Sequence, residues 1–390
     1  MEEVAAGYGV PKGEALRMNI LGAIVVAEAV RSTLGPGGMD KMLVGEDDPI
    51  LTDKGAVILS MLPLRHPGAR MAAEVALAQD REVGDGTATA VVLLGELLKR
   101  AEALLGDGIH PSVIARGYSL AMARGLELLS RLEIPLAAGD LERAAHSMLE
   151  GKAEGAEREH LASLALEAVA MAGSRYNIKV EYRVGGSIMA TELVKGIVID
   201  LGKRTHPAMP RRVNGAKILL IDREFEVKKG DIKIQITDPA MLGAFGEYKK
   251  KVLRVAAEMV RRSGANVLLC QRNMDPLAMS FLAQAGILAV RDIPKDVMEA
   301  LASATGAKIV SNVRAVEPQV LGSAELVEER KVAGEEMLYI LCREPKAVSI
   351  LVRAGTERGA LETKRRMEDL VAVLANLIRG RRVVAGAGAP

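Results

Sequence analysis

Hydrophobic periodicity changes twice along this chain, and that limits the architectures open to it. Residues 17 to 130 carry apolar positions at helical spacing in four runs, RMNILGAIVVAEAVRSTL, GARMAAEVALAQDREV, TATAVVLLGELLKRAEALLG and PSVIARGYSLAMARGLELLSRL. Between about 204 and 346 the texture becomes α/β: the short runs KILLID, DIKIQI, NVLLCQ, ILAVRD and KIVSN alternate with helical stretches such as PAMLGAFGEYKKKVLRVAAEMVRRSG. After AVSILV the chain returns to helix in TERGALETKRRMEDLVAVLANLIRG. An α/β region set between helical ones implies a discontinuous architecture, and 390 residues suggest two or three domains. Within the helical part, KMLVGEDDPILTD reads as two short strands around an acidic turn, a hairpin. From 141 to 203 two further helices and mixed strands are expected, with Gly185-Gly186 as a possible hinge.

Composition removes several function classes. The 52 Lys and Arg nearly balance the 50 Asp and Glu, and no basic block is longer than three residues, so no footprint for a polyanion is visible. Aromatic residues are 2% of the chain and Trp is absent, which removes the stacking platforms that single-stranded nucleic acid uses. Nucleic-acid binding is therefore not expected. The segment NILGAIVVAEAV is interrupted by Glu28 before it reaches a membrane span, and MEEVAAGYGVPKG lacks an apolar core, so a cytosolic location is expected. Cys270 and Cys342 sit inside apolar strand-like runs and read as buried thiols. His66 and His206 each precede a proline in loop-like sequence, where a polar surface or packing role is the default.

The stretch REVGDGTATAVVLLGELL, residues 81 to 98, is the strongest candidate for chemistry. Gly84-Asp85-Gly86-Thr87-Ala88-Thr89 leads directly into an apolar helical run. Two readings are open. Glycines allow positive φ and a close backbone approach to phosphate oxygens, with Asp85 as a hard ligand for a cation. Alternatively the stretch is a turn in which Asp or Thr caps the following helix.

Taken together, TLGPGGMDKMLV, GDGTATAVVLLGELLKRAEALLGDGIHPSVIARGY, THPAMPRRV, ITDP, SGANVLLCQ, GILAVRD, ATGAKIV, AELVEERKVAG, KRRMEDLVAV and VVAGAGA occur in the order found in one family. The chain resembles the group II chaperonins, the archaeal thermosome and eukaryotic cytosolic chaperonin subunits. The resemblance implies a multidomain α and α/β fold: a helical equatorial ATP-binding domain at 1–140, a discontinuous intermediate domain at 141–203 and 347–380, an inserted α/β apical domain at 204–346, and the start of a returning equatorial segment at 381–390. It further implies an ATP-dependent chaperone subunit that binds non-native polypeptides and couples hydrolysis to closure of a folding chamber, with ATP and Mg²⁺ as cofactors. The second reading is a non-hydrolysing chaperonin-like adapter that keeps the apical surface.

By the same resemblance, Gly84, Asp85, Gly86, Thr87, Ala88 and Thr89 wrap the triphosphate, and Asp85 holds Mg²⁺. Gly35 and Pro36 belong to a second phosphate loop, Lys152 senses the terminal phosphate, and Gly386 and Gly388 lie in a Gly-rich nucleotide loop. Asp369 stands where the family keeps the carboxylate that orients the attacking water. Met241, Leu242, Phe245, Val252, Leu253, Val255 and Met259 align with the apical helical protrusion that forms a built-in lid, although residues at helical spacing also read as core.

Several positions depart from the family pattern. Its Thr/Ser-Asn-Asp-Gly motif is here Thr52-Asp53-Lys54-Gly55, so a cation stands where a carboxylate assists hydrolysis, and slow turnover is expected. Gly37 stands for Lys, Ala88 for the middle Thr and Ala387 inside the glycine loop. Family members continue beyond the position of Pro390, so an incomplete equatorial domain is expected, with assembly into a ring of chaperonin subunits dependent on its completion. Segment 204–346 is expected to fold alone.

Overall fold

The computed structural model describes residues 12–390 apart from 36, 45–48, 138, 152, 202–204, 227–238, 313–317 and 387–390, and gives the backbone without side chains at 12 and 239–245. It divides into two compact units, residues 1–154 with 368–390, and residues 155–367.

The first unit is mainly helical. It contains α1 (Lys12–Arg31), the strands β1 (Lys41–Leu43) and β2 (Ile50–Thr52), α2 (Gly55–Met61), α3 (Pro67–Glu82), α4 (Thr87–Gly106), α5 (Pro111–Leu132), β3 (Ile134–Pro135) and α6 (Asp140–Leu149). The expected hairpin is present, with Lys41 opposite Thr52 and Leu43 opposite Ile50. Helices α1, α3 and α4 pack on one another around Val26, Ala27, Val30, Ala72, Ala76 and Val91. The small residues set the helix spacing: a Cβ on Gly95 would lie 2.3 Å from the Ala27 Cβ, so α1 and α4 touch where only glycine fits. Two helix starts share one device. His66 and His110 each precede a proline at the first helical turn, and each Nδ1 accepts from the backbone N–H two residues on, at Gly68 (3.2 Å) and Ser112 (3.3 Å). His206 makes the same contact with the Ala208 N–H (3.2 Å). His66 and His110 are helix caps, and His206 makes its contact at a turn, each a polar role.

The second unit contains α7 (Gly155–Ala172), β4 (Ile178–Val184), β5 (Glu192–Val194), β6 (Gly196–Asp200), β7 (Arg212–Ile221), α8 (Pro239–Arg262), β8 (Val267–Cys270), α9 (Pro276–Gln284), β9 (Leu288–Val290), α10 (Lys295–Thr305), β10 (Ile309–Val310), β11 (Gly322–Val332), β12 (Glu335–Leu341) and β13 (Val348–Ala354). Its larger sheet runs β6-β12-β11-β7-β8-β9, with β10 beside the end of β7. Pairing is parallel among β7, β8, β9 and β10, and antiparallel from β7 through β11 and β12 to β6. Strands β7, β8 and β9 are covered by helices, so their apolar runs are continuous and buried rather than alternating. Leu219, Leu220, Leu268 and Leu269 are fully buried in the resulting core. The run DIKIQI lies outside the described residues; KILLID, NVLLCQ, ILAVRD and KIVSN form strands as their sequence indicates. A smaller sheet, β4-β13-β5, carries α7. Helix α11 (Glu357–Gly380) begins in this unit, its residues from Glu368 belong to the first, and β14 (Arg382–Val383) then pairs with β3. Both cysteines are free and buried, as their sequence setting suggested. Burial pushes each thiol up to about 11.

Candidate functional site

The loop of residues 84 to 86 is built by α3, and α11 braces it. The last turn of α3 closes with the Val83 and Gly84 N–H groups on the Gln79 carbonyl at 2.9 and 3.3 Å. The Gln79 side chain then donates to the Asp85 carbonyl at 3.0 Å. From α11, the Asn376 amide donates to the Val83 carbonyl at 3.0 Å. Gly84 and Gly86 both have positive φ, +85° and +73°, the left-handed region that glycine enters without strain. The Asp85 carboxylate accepts from the Gly86 N–H at 2.7 Å.

Gly86 is the residue before α4, and no side chain caps that helix. The capping alternative offered by Asp and Thr is therefore not what the structure contains. The first-turn N–H groups of a 20-residue helix point out of its end with positive potential and no side-chain acceptor. Such an end fits an anion, and phosphate is the chemistry that glycine-flanked helix starts accommodate.

Residues 52 to 55 lie against the same helix start. The buried Thr52 hydroxyl accepts from the Lys54 N–H at 3.2 Å and turns the chain from β2 into α2. A Cβ on Gly55 would lie 3.0 Å from the Ala88 nitrogen, so α2 and α4 begin side by side. This places the Lys54 side chain in a small acidic pocket. Its Nζ is 2.6 Å from Asp369 Oδ1 on α11 and 2.8 Å from Asp80 Oδ1 on the last turn of α3. All three side chains are at least two thirds buried. Burial pushes the Asp369 carboxyl up to about 7 against the pull of Lys54, with Asp80 and Asp85 adding to the rise. For Lys54, burial opposes the charge, but Asp369 and Asp80 together hold its pKa above the ordinary lysine value.

Gly84, Asp85, Gly86, Thr87, Ala88, Thr89 and Asp369 thus fall within one region of the first unit. Gly35 sits in the turn after α1 with φ +86°, and its carbonyl accepts from the Gly38 N–H within that turn. Gly386 follows β14. Pro36, Lys152 and Gly388 lie outside the described residues. Among the described residues, no group of three or more His, Cys, Asp or Glu is arranged to hold a metal by itself, so a cation at Asp85 needs further oxygens from a ligand. Sequence reasoning missed Asp80, Gln79 and Asn376. Asn376 had a signal, since it lies seven residues after Asp369 on the same helical face; Asp80 read only as part of a charged helix end.

The second unit contains several cavities. One of about 460 Å³ is lined by Phe225, Tyr248, Val252, Leu253, Val255 and Met259, among others. Of the α8 residues singled out from sequence, Leu253 is buried in the core, Val252 and Met259 are half-buried, and Val255 is exposed. The side chains of Met241, Leu242 and Phe245 lie outside the described residues.

Residues 26–390 match the model of the TCP-1/cpn60 chaperonin family. The chain belongs to that family. It is 48% identical to the thermosome subunit beta of Thermococcus kodakarensis, an alignment covering 97% of this chain and 72% of the relative. The thermosome subunit beta of Archaeoglobus fulgidus is 49% identical over the same shares, and the thermosome subunit of Pyrococcus horikoshii is 47% identical over 96% and 71%. With thermosome subunits among its relatives, the chain is a group II chaperonin, and its function is that of a protein-folding chaperone. Among the described residues of this chaperonin, no helix is long and apolar enough to cross a membrane.

Proposed function

We propose that this chaperonin is an ATP-dependent chaperone subunit whose nucleotide sits at the start of α4. The observation that carries the reading is the uncapped N-terminus of α4 behind two positive-φ glycines, with the Asp85 carboxylate beside it. Gly84, Gly86 and the N–H groups of Thr87, Ala88 and Thr89 would hold phosphate oxygens, joined by Gly35 and Pro36 from the turn after α1, by Lys152, and by Gly386 and Gly388. Asp85 would hold Mg²⁺, which when bound neutralises charge on the phosphates. Asp369 would orient a water molecule by accepting its proton in a hydrogen bond. The domain assignments follow: equatorial at 1–140 and 381–390, intermediate at 141–203 and 347–380, apical at 204–346. The apical face of α8 would meet non-native polypeptide, and the subunit would assemble into a ring with other chaperonin subunits.

Calorimetry of ATP binding to Asp85→Ala tests the site. Affinity in the presence of Mg²⁺ is expected to fall at least tenfold, because the variant loses the one carboxylate in the loop. Unchanged affinity would return the stretch to a turn between helices. A second reading, a non-hydrolysing adapter, draws on one observation: Asp369 is ion-paired with Lys54.

A further inference from the structure

Among the described ion pairs of the first unit, Lys54 is the most enclosed cation. Its ammonium lies between two carboxylates that come from different helices, Asp80 on α3 and Asp369 on α11, and its side chain is only 18% exposed. Arg31 and Lys99 also meet carboxylates from two helices, Glu28 on α1 and Glu96 on α4, but those side chains are 38–43% exposed, and pairs such as Arg17 with Glu102 or Arg131 with Glu127 include a largely solvated partner. Those pairs contribute little. A desolvated pair behaves differently: separating it leaves a buried charge without a counterion, so it holds its geometry.

The backbone on either side of Lys54 is fixed as well. The Thr52 hydroxyl accepts from its N–H, and its carbonyl accepts from the Ile58 N–H at 3.0 Å as α2 begins. The ammonium is therefore presented to Asp369 by a short, braced segment. An ammonium is a donor only. The Asp369 oxygen at 2.6 Å receives a charge-assisted hydrogen bond, and a carboxylate so engaged is a weaker acceptor for water.

We propose that Lys54 is a positioning residue that restrains hydrolysis: it holds Asp369 in the Lys54–Asp80–Asp369 ion-pair cluster, so that ATP is bound and retained while water is poorly oriented. The inference rests on the nucleotide reading above and deepens it, giving the site a slow clock set by this chain's own lysine. It also separates two roles for Lys54. A lysine serving the phosphate would tighten nucleotide binding and assist turnover. A lysine serving Asp369 suppresses turnover and leaves affinity nearly untouched.

The test measures ATP affinity by calorimetry and phosphate release at saturating ATP and Mg²⁺, on the full chain. The variants are Lys54→Arg, Lys54→Gln, and the double variant Lys54→Gln with Asp80→Asn. The double variant removes the ammonium and one carboxylate together, so the net charge of the cluster is preserved and the fold is not asked to bury two unpaired acids. Lys54→Arg keeps the cation and should stay slow. Lys54→Gln, where it folds, and the double variant should raise kcat about tenfold or more, equivalent to about 1.4 kcal/mol of barrier, with the dissociation constant for ATP changed less than about threefold. A double variant that binds ATP but turns over no faster than the wild type would overturn the proposal and leave the nucleotide site standing. So would a wild type as fast as a thermosome subunit that carries Asp at this position. A wild type that binds no ATP would instead overturn the nucleotide reading itself.

Discussion

The sheet of the second unit and helix α5 of the first are similarly rich in leucine, yet they bury it to opposite extents. In β7 and β8, Leu219, Leu220, Leu268 and Leu269 are fully buried. In α5 only Ile114 is buried, while Leu120, Met122 and Leu126 are 65%, 64% and 61% exposed. The contrast lies in what the chain sets opposite each surface. Parallel strands joined through helices receive a cover on both faces from the chain that connects them. Helix α5 touches α4 through contacts such as the Tyr118 hydroxyl donating to the Leu97 carbonyl at 2.6 Å, and its other face has no cover among the described residues. Apolar content therefore reports the capacity to bury, and topology decides where burial occurs.

The largest effect expected from this contrast concerns the edge of the sheet. Strand β6 precedes residue 204 but pairs with β12, and Ile197, Ile199 and Leu201 join the core of the sheet. Burying each contributes roughly 1.5–3 kcal/mol, against a net domain stability of about 5–15 kcal/mol. A fragment of residues 155–367 is expected to melt cooperatively, whereas 204–346, which sequence alone suggested would fold by itself, lacks β6 and should be proteolytically labile. Equal thermal transitions for the two fragments would show that the sheet does not depend on β6. A smaller loss is expected from Leu220→Ala, about 2–5 kcal/mol by chemical denaturation of the full chain, since the residue is fully enclosed and its removal leaves a cavity. A cost under 1 kcal/mol would mean that this core is much looser than its burial indicates.

The long helices were legible in the sequence because each repeats one hydrophobic period over many residues, and the parallel strands because each is a short continuous apolar run, as strands covered on both faces are. The elements that were not legible have specific reasons. Helix α2 is seven residues long, too short for a helical period to declare itself. The β11–β12 hairpin turns through Ala333 and Gly334, both at positive φ, and Ala in that position hides a turn that Asn-Gly or Asp-Gly would announce. In the candidate site, the glycines, Asp85 and Asp369 carried a motif-level signal. The joining of Lys54 to Asp369 did not, because 315 residues separate them and only the tertiary fold brings β2, α3 and α11 to one place. Sequence marked Lys54 as a departure; its partners came from the structure.

The smallest effect expected is at α5, and it tests the comparison from the other side. Met122 and Leu126 are one helical turn apart and both are largely exposed, so truncation removes little surface that folding had taken from water. Alanine is also the better helix former, which offsets what contact is lost. Met122→Ala and Leu126→Ala are therefore each expected to change the stability of the full chain by no more than about 0.5 kcal/mol, with the same concentration dependence of melting as the wild type. The measurement is thermal melting of wild type and both variants over a hundredfold range of concentration. A loss of 2 kcal/mol or more, or a wild-type transition that rises with concentration while the variants' transitions do not, would show that this face is covered in solution by another chain. In that case α5 would resemble β7 and β8 after all, with the cover supplied between molecules rather than within one.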